Sequence, residues 1–308
     1  MISKLEKYLS TNKYLLMEGA LGERLKREYQ LTFDEHVAMA SLVYSDKGRD
    51  ALRELWNGYL AIAREYNVPF LATTPTRRAN KERVRNSCYT EDIIADNVDF
   101  LKTIADSYSN MLIGGLMGCK GDAYTGDGEL GLEASRNFHT WQVAKFKDAG
   151  VDFLYAGIMP MLPEAVGMAQ AMSESGLPYI ISFTIKDNGK IIDGVNINDA
   201  IEIIDSVVDI PPVCYITNCV HPRIVAKALQ QPFNQTVTVK QRFLGIQANT
   251  SPLSYEELDN SADLKTSDPD QWAVDINNLE EQYRMKIFGG CCGTDNIYMS
   301  KMVSLLSK

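Results

Sequence analysis

Cys291 and Cys292 stand side by side in the run GGCCGT (289–294), among three glycines at the end of an apolar stretch. Adjacent thiols can ligate a soft metal, form a vicinal redox pair, or sit inert in a buried turn. Neighbouring side chains of a strand point to opposite faces, so both thiols can serve one site only if the backbone turns there. Gly289, Gly290 and Gly293 supply the freedom for that turn. A second signal is VCYITNCVHP (213–222), which places Cys219 at the C-terminal end of a strand-like run. Three thiolates converging from two strand ends would make an open zinc site, with three protein ligands and a fourth position left for substrate or water. Cys88, Cys119 and Cys214 have no such surroundings and read as core or incidental residues.

Other chemistry finds little support. His36, His139 and His221 are not spaced as a metal set; His221, two residues after Cys219, reads as a loop residue or as a support for a ligand. No Ser/His/Asp grouping follows from the spacing, and no nucleophile elbow, P-loop or dinucleotide fingerprint is present. The glycine-rich TGDGELG (125–131) lacks the strand-then-helix context of a phosphate loop and reads as a surface loop.

The elements that must position the cysteines are legible as alternation. Strand-like apolar runs fall at 15–18, 69–74, 111–118, 151–159, 179–185, 212–218, 243–249 and 285–290. Segments with helical apolar spacing lie between most of them, at 50–67, 91–109, 135–150, 163–176 and 196–208. Gly150 and Gly176 stand where C-terminal helix caps are expected. Eight strands alternating with helices predict an α/β fold, a (βα)8 TIM barrel in a single domain spanning 1–308. The polar, proline-containing stretch 251–272 is read as a long loop after the seventh strand. Both cysteine sites then fall on the C-terminal rim, where barrels of this kind build their active sites.

Bulk properties narrow the class. The chain has 308 residues, 45% of them hydrophobic, enough for a large core. A net charge of -9 argues against a nucleic-acid partner. The apolar runs are too short to span a bilayer, the N-terminus has no apolar signal core, and six cysteines are too few for a disulfide framework. A cytoplasmic location with no membrane partner is the expectation.

At this point the sequence resembles the homocysteine S-methyltransferases, zinc barrels that include betaine-homocysteine methyltransferase and the homocysteine domain of methionine synthase. MEGALGERL (17–25) is similar to the family's D-G-x-x-G-T motif, LATTPTRRAN (71–80) to its T-N-T-F motif, and IGGLMG (113–118) to its A-G-S-I-G motif. ISFTIKDNGKIIDG (181–194) resembles the S-F-x-x segment, TNCVHP (217–222) the N-C-x-x-P motif, and GGCCGT the family hallmark. The resemblance implies that Cys219, Cys291 and Cys292 hold Zn2+ and act through it. It also points to Glu18, Gly19, Thr73, Gly157, Asn218 and Asn249 as substrate-binding positions.

The departures concern the substrate. Where the family carries E-T-x-P, with its Glu on the amino group of homocysteine, this chain reads GIMP with Gly157, while Pro160 and Glu164 keep the later spacing. Glu18, where the family has Asp, is a substitute acceptor or else a cap on the next helix. Thr74 and Pro75 alter the threonine motif, and Asn249 is either a substrate residue or a turn former.

The expected activity is methyl transfer from a sulfonium, S-methylmethionine or S-adenosylmethionine, to homocysteine, giving methionine and serving methionine biosynthesis. A different thiol acceptor is the alternative that Gly157 raises, and a non-catalytic zinc barrel is the alternative from another class. The partners expected are a small-molecule thiol and a methyl donor, with a homo-oligomer and a separate corrinoid protein left open.

Overall fold

The computed structural model describes residues 2–253, 257 and 265–308. Eight parallel strands close in chain order into a barrel: β1 (Leu15–Met17), β2 (Phe70–Thr73), β3 (Met111–Met117), β4 (Phe153–Met159), β5 (Tyr179–Phe183), β6 (Cys214–Val220), β7 (Phe243–Ala248) and β8 (Ile287–Gly290). The last strand pairs with the first, Leu15 opposite Ile287, so the sheet has no free edge. The (βα)8 expectation holds, and each strand-like run of the sequence overlaps one of these strands, β6 running past its expected end at 218 to Val220.

Burial on both faces explains the strand composition. Leu15, Met17, Leu71, Leu112, Phe153, Tyr155, Ile180, Cys214, Ile216 and Ile287 form one apolar cluster, with Leu5 and Leu9 of the N-terminal helix α1 (Lys4–Thr11) packed into it. These positions alternate along their strands, and we read them as the filled interior of the barrel. The intervening residues, such as Leu16, Phe70, Ala72, Leu154 and Ile181, belong to a second, larger cluster shared with the surrounding helices. Both strand faces are therefore covered, which is why the runs are continuously apolar.

The helical segments appear where the periodicity places them. After α2 (Gly22–Arg27) come α3 (Asp46–Glu65), α4 (Lys81–Asn86), α5 (Ile93–Ala105), α6 (Leu132–Ala149), α7 (Leu162–Ser175), α8 (Ile197–Ser206), α9 (Pro222–Leu229), α10 (Val237–Arg242), α11 (Pro269–Tyr283) and α12 (Asn296–Leu306). Gly150 and Gly176 are left-handed C-caps of α6 and α7, as expected. The loop read over 251–272 needs correction at its far end. Asp268 accepts the backbone N–H of Gln271 and Pro269 occupies the first turn, so 269–272 already belong to α11. Its positions 254–256 and 258–264 lie outside the described residues. No helix among the described residues is long and apolar enough to cross a membrane.

Candidate metal and substrate site

The three cysteines meet on the C-terminal rim. Cys219 is the penultimate residue of β6, and Cys291 and Cys292 follow β8 directly. Their sulfurs all lie within 4.8 Å of one another, those of Cys219 and Cys291 in direct contact. Cys219 itself adopts a left-handed φ of 57°, so β6 turns at the ligand position rather than beside it. At β8 the turn is made by Gly293, with φ of 85°, where an added Cβ would also lie 2.0 Å from the Thr250 hydroxyl.

The surrounding loops fix the cysteine turn through its backbone. The Cys291 N–H donates to Ala248 at the end of β7, and the Cys292 carbonyl accepts from the Thr250 N–H at 3.2 Å. Thr294 donates its hydroxyl to the Cys291 carbonyl at 2.6 Å and accepts the Ala20 N–H from the β1 loop at 3.0 Å. These contacts satisfy backbone groups of a partly buried turn, and the Cys291 carbonyl also accepts the Thr294 N–H.

Cys219, Cys291 and Cys292 fit a metal by the chemistry of the donor set: three soft sulfur donors gathered from two strand ends, the pattern of open zinc sites. A metal needs all three as thiolates, so the reduced protein is the form that would hold it. Cys292 is exposed as a residue, yet desolvation of its sulfur and then the nearby Glu23 carboxylate push the thiol upward, while Arg77 pulls it the other way. Burial pushes Cys214 up to about 12 and Cys119 up to about 11, which keeps both as neutral thiols. Cys88 is exposed.

Beside the cysteines the barrel mouth carries a buried carboxylate. Glu18, directly after β1, accepts the Thr73 hydroxyl at 2.6 Å and the Thr73 N–H at 3.1 Å. Burial pushes it up to about 7, against the opposing effect of these bonds. The reading of Glu18 as a helix cap is corrected here: α2 begins at Gly22, its N-cap is Leu21, and no side chain caps it. Gly19 is packed against the Tyr59 ring, where an added Cβ would lie 2.6 Å away, and the Tyr59 hydroxyl donates to the Ala20 carbonyl.

Asn218 joins a polar group that sequence reading missed. Its carboxamide receives the hydroxyls of Tyr155 and Ser182 and donates to Gln247, which also accepts from Tyr155 at 2.9 Å. The signal was available in retrospect, since Ser182 and Gln247 are polar side chains within otherwise apolar strands. Asn249 donates its side chain to the Cys219 carbonyl at 2.7 Å, so it braces the ligand strand rather than closing a local turn, and its own Oδ1 is buried without a partner among the described residues. At Gly157 a Cβ would meet Leu116 Cδ1 at 3.0 Å and the Tyr155 ring at 3.2 Å, so neighbouring side chains crowd the place where a larger residue would stand. Thr74 takes no part in the mouth; its hydroxyl bonds Thr76 and the Leu116 N–H.

Two of the three histidines have structural roles. His221 caps α9 through Nδ1, contacts Ser267 through Nε2 at 3.2 Å, and is pushed down to about 4 by burial. His139 on α6 meets the buried Glu164 of α7 at 3.0 Å, and Glu164 also accepts the N–H groups of Lys120 and Leu130. The glycine-rich 125–131 segment is thus a loop, as read, but one anchored to a buried carboxylate.

A profile described as homocysteine S-methyltransferase matches residues 15–306. No curated protein matches the chain in sequence. Among solved structures, the metallated form of the homocysteine methyltransferase MmuM from Escherichia coli superposes with a TM-score of 0.76 at 19% identity, covering 97% of this chain and 99% of that one. Its oxidized form gives 0.77 at 19% identity, covering 97% and 98%, and its apo form 0.69 at 18% identity, covering 98% and 99%. At these identities the likeness supports the fold.

Proposed function

The chain belongs to the homocysteine S-methyltransferase family, and on that premise we propose that this methyltransferase moves a methyl group from a sulfonium donor, S-methylmethionine or S-adenosylmethionine, to the sulfur of homocysteine with the help of zinc. The observation that carries the reading is the convergence of the Cys219, Cys291 and Cys292 sulfurs within 4.8 Å on the barrel rim. Zinc held by these three residues would supply the Lewis acidity that keeps an acceptor thiol ionised at neutral pH.

The protein's own contribution is positioning. In the transfer a new sulfur–carbon bond forms as the bond between methyl and sulfonium breaks, the donor's bonding pair leaving with its sulfur, so the reaction needs alignment more than a proton relay. Glu18, tied to Thr73, offers an acceptor for a substrate ammonium, which would favour its ionised form. Asn218, fixed by Tyr155, Ser182 and Gln247, and Asn249, fixed on the Cys219 carbonyl, hold the mouth in one geometry. Gly157 supports a second reading, in which the acceptor is a thiol without an amino-acid ammonium, because that strand offers no carboxylate at this position.

Zinc-edge X-ray absorption before and after addition of homocysteine tests the proposal. A rise from about three to about four sulfur neighbours supports homocysteine as acceptor; an unchanged count points to another thiol, and a protein that takes up no zinc after reduction overturns the thiol-activation chemistry.

A further inference from the structure

Arg77 lies in the loop between β2 and α4, on the same rim as the cysteines. Gly118, after β3, makes room for it: a Cβ there would lie 2.6 Å from Arg77 Cγ and 2.9 Å from its carbonyl. From this seat Arg77 acts electrostatically on Cys292 and faces the phenol of Tyr124 in the β3–α6 loop. Arg78 is beside it, its Nη1 donating to the Gly121 carbonyl at 3.3 Å, and Arg83 is near enough that Arg77 and Arg83 both disfavour the charge on Arg78.

Three guanidinium groups are therefore gathered at one point of a chain whose net charge is -9. Among the described residues none of the three makes an ion pair with a carboxylate. Arg83 is committed to the carbonyls of His36 and Glu35, and Asp122, the acidic group that acts on Arg77 and Arg78, accepts the Tyr124 and Thr125 N–H groups on Oδ1. Three guanidinium groups with one carboxylate among them leave an excess of positive charge, which raises the energy of the empty site and lowers it when an anion arrives. Guanidinium is the side chain best matched to a planar carboxylate.

We infer that Arg77, with Arg78 behind it, binds the carboxylate of an amino-acid substrate of this site. The inference rests on the proposed thiol methyl transfer for the identity of that substrate. Homocysteine carries its carboxylate on a short three-carbon arm, which suits a cation on the same rim as the cysteines that would hold the metal. A methionine-derived sulfonium carries the same group, so acceptor and donor must be separated by experiment.

Calorimetric titration of the reduced, zinc-loaded protein separates them. One arm compares homocysteine with 3-aminopropane-1-thiol, and the other compares S-methylmethionine with (3-aminopropyl)dimethylsulfonium, each pair differing only in the carboxylate. The expected result is a preference of about ten-fold or more for the carboxylate-bearing member of one pair, lost in Arg77→Gln and partly kept in Arg77→Lys. The pair that shows it identifies acceptor or donor. A ratio within one protein sample does not depend on how much of a variant is folded. Absence of preference in both pairs, or a preference undiminished in Arg77→Gln, overturns the inference. An unchanged zinc–sulfur count with homocysteine sinks homocysteine as the acceptor separately, since a carboxylate preference lost with Arg77 would still stand.

Discussion

Glu18 and Thr73, at the ends of adjacent strands and 55 residues apart in sequence, form a two-point contact in which the threonine donates both its hydroxyl and its backbone N–H to one buried carboxylate. Two donors stabilise the ionised form, but complete burial outweighs them and lifts the group to about 7 from an ordinary value near 4.5.

The sign of the linkage follows. Between pH 4.5 and 7 the folded protein binds a proton at Glu18 that the unfolded chain has released, so this contribution to stability is present at low pH and is lost as pH rises through 7. The loss is on the order of 3 kcal/mol. Urea unfolding at pH 5 and pH 8 should show wild type losing more stability than Glu18→Gln, and equal losses would remove the raised carboxylate from the account.

The metal should depend on Cys292 and on reduction. Cys292→Ala is expected to reduce bound zinc from about one per chain to a small fraction, with the barrel still folded. A metal needs all three cysteines as thiolates, so protein handled without reductant is expected to take up less zinc than reduced protein. Metal analysis beside thiol titration checks both, and full zinc in Cys292→Ala would overturn the ligand set.

Gly293→Ala should damage the cysteine turn. The left-handed φ strains any other residue by about 1–3 kcal/mol, and the new methyl must displace Thr250, whose N–H holds the Cys292 carbonyl. A lower melting temperature together with weaker zinc binding is expected; unaltered zinc affinity would separate the turn from the metal site.

Glu164→Ala removes one carboxylate that serves His139, Lys120 and Leu130 together. Leaving these donors unpaired, one buried and two partly buried, should cost about 2–4 kcal/mol. Proteolysis should then cut first within residues 119–131, whereas a uniform loss of stability without local cleavage would show that the loop has other anchors.

Much of the architecture was legible because it is local. Continuous apolar runs of strand length, helical spacing between them, and Gly150 and Gly176 at the caps each depend on residues a few positions apart. The cysteine pair among glycines carried its chemistry in residue type alone, and Cys219 needed only the knowledge that strand ends share a rim. The start of α11 at Pro269 was hidden because its polar first turn has the same composition as the loop before it.

The amino-acid sequence by itself determined the barrel, its eight-strand alternation, the family and the three candidate sulfur ligands. Closure of the barrel decided the rest. Which inward side chains stand at one height depends on the register of eight strands, and this alone sets Glu18 on Thr73 and joins Tyr155 to Asn218 and Gln247. The loops likewise acquire partners only once the rim exists, which is how Arg77 comes over Gly118 and how Asn249 braces Cys219. Such contacts link residues far apart in the chain, and the spacing within any one segment holds no record of them.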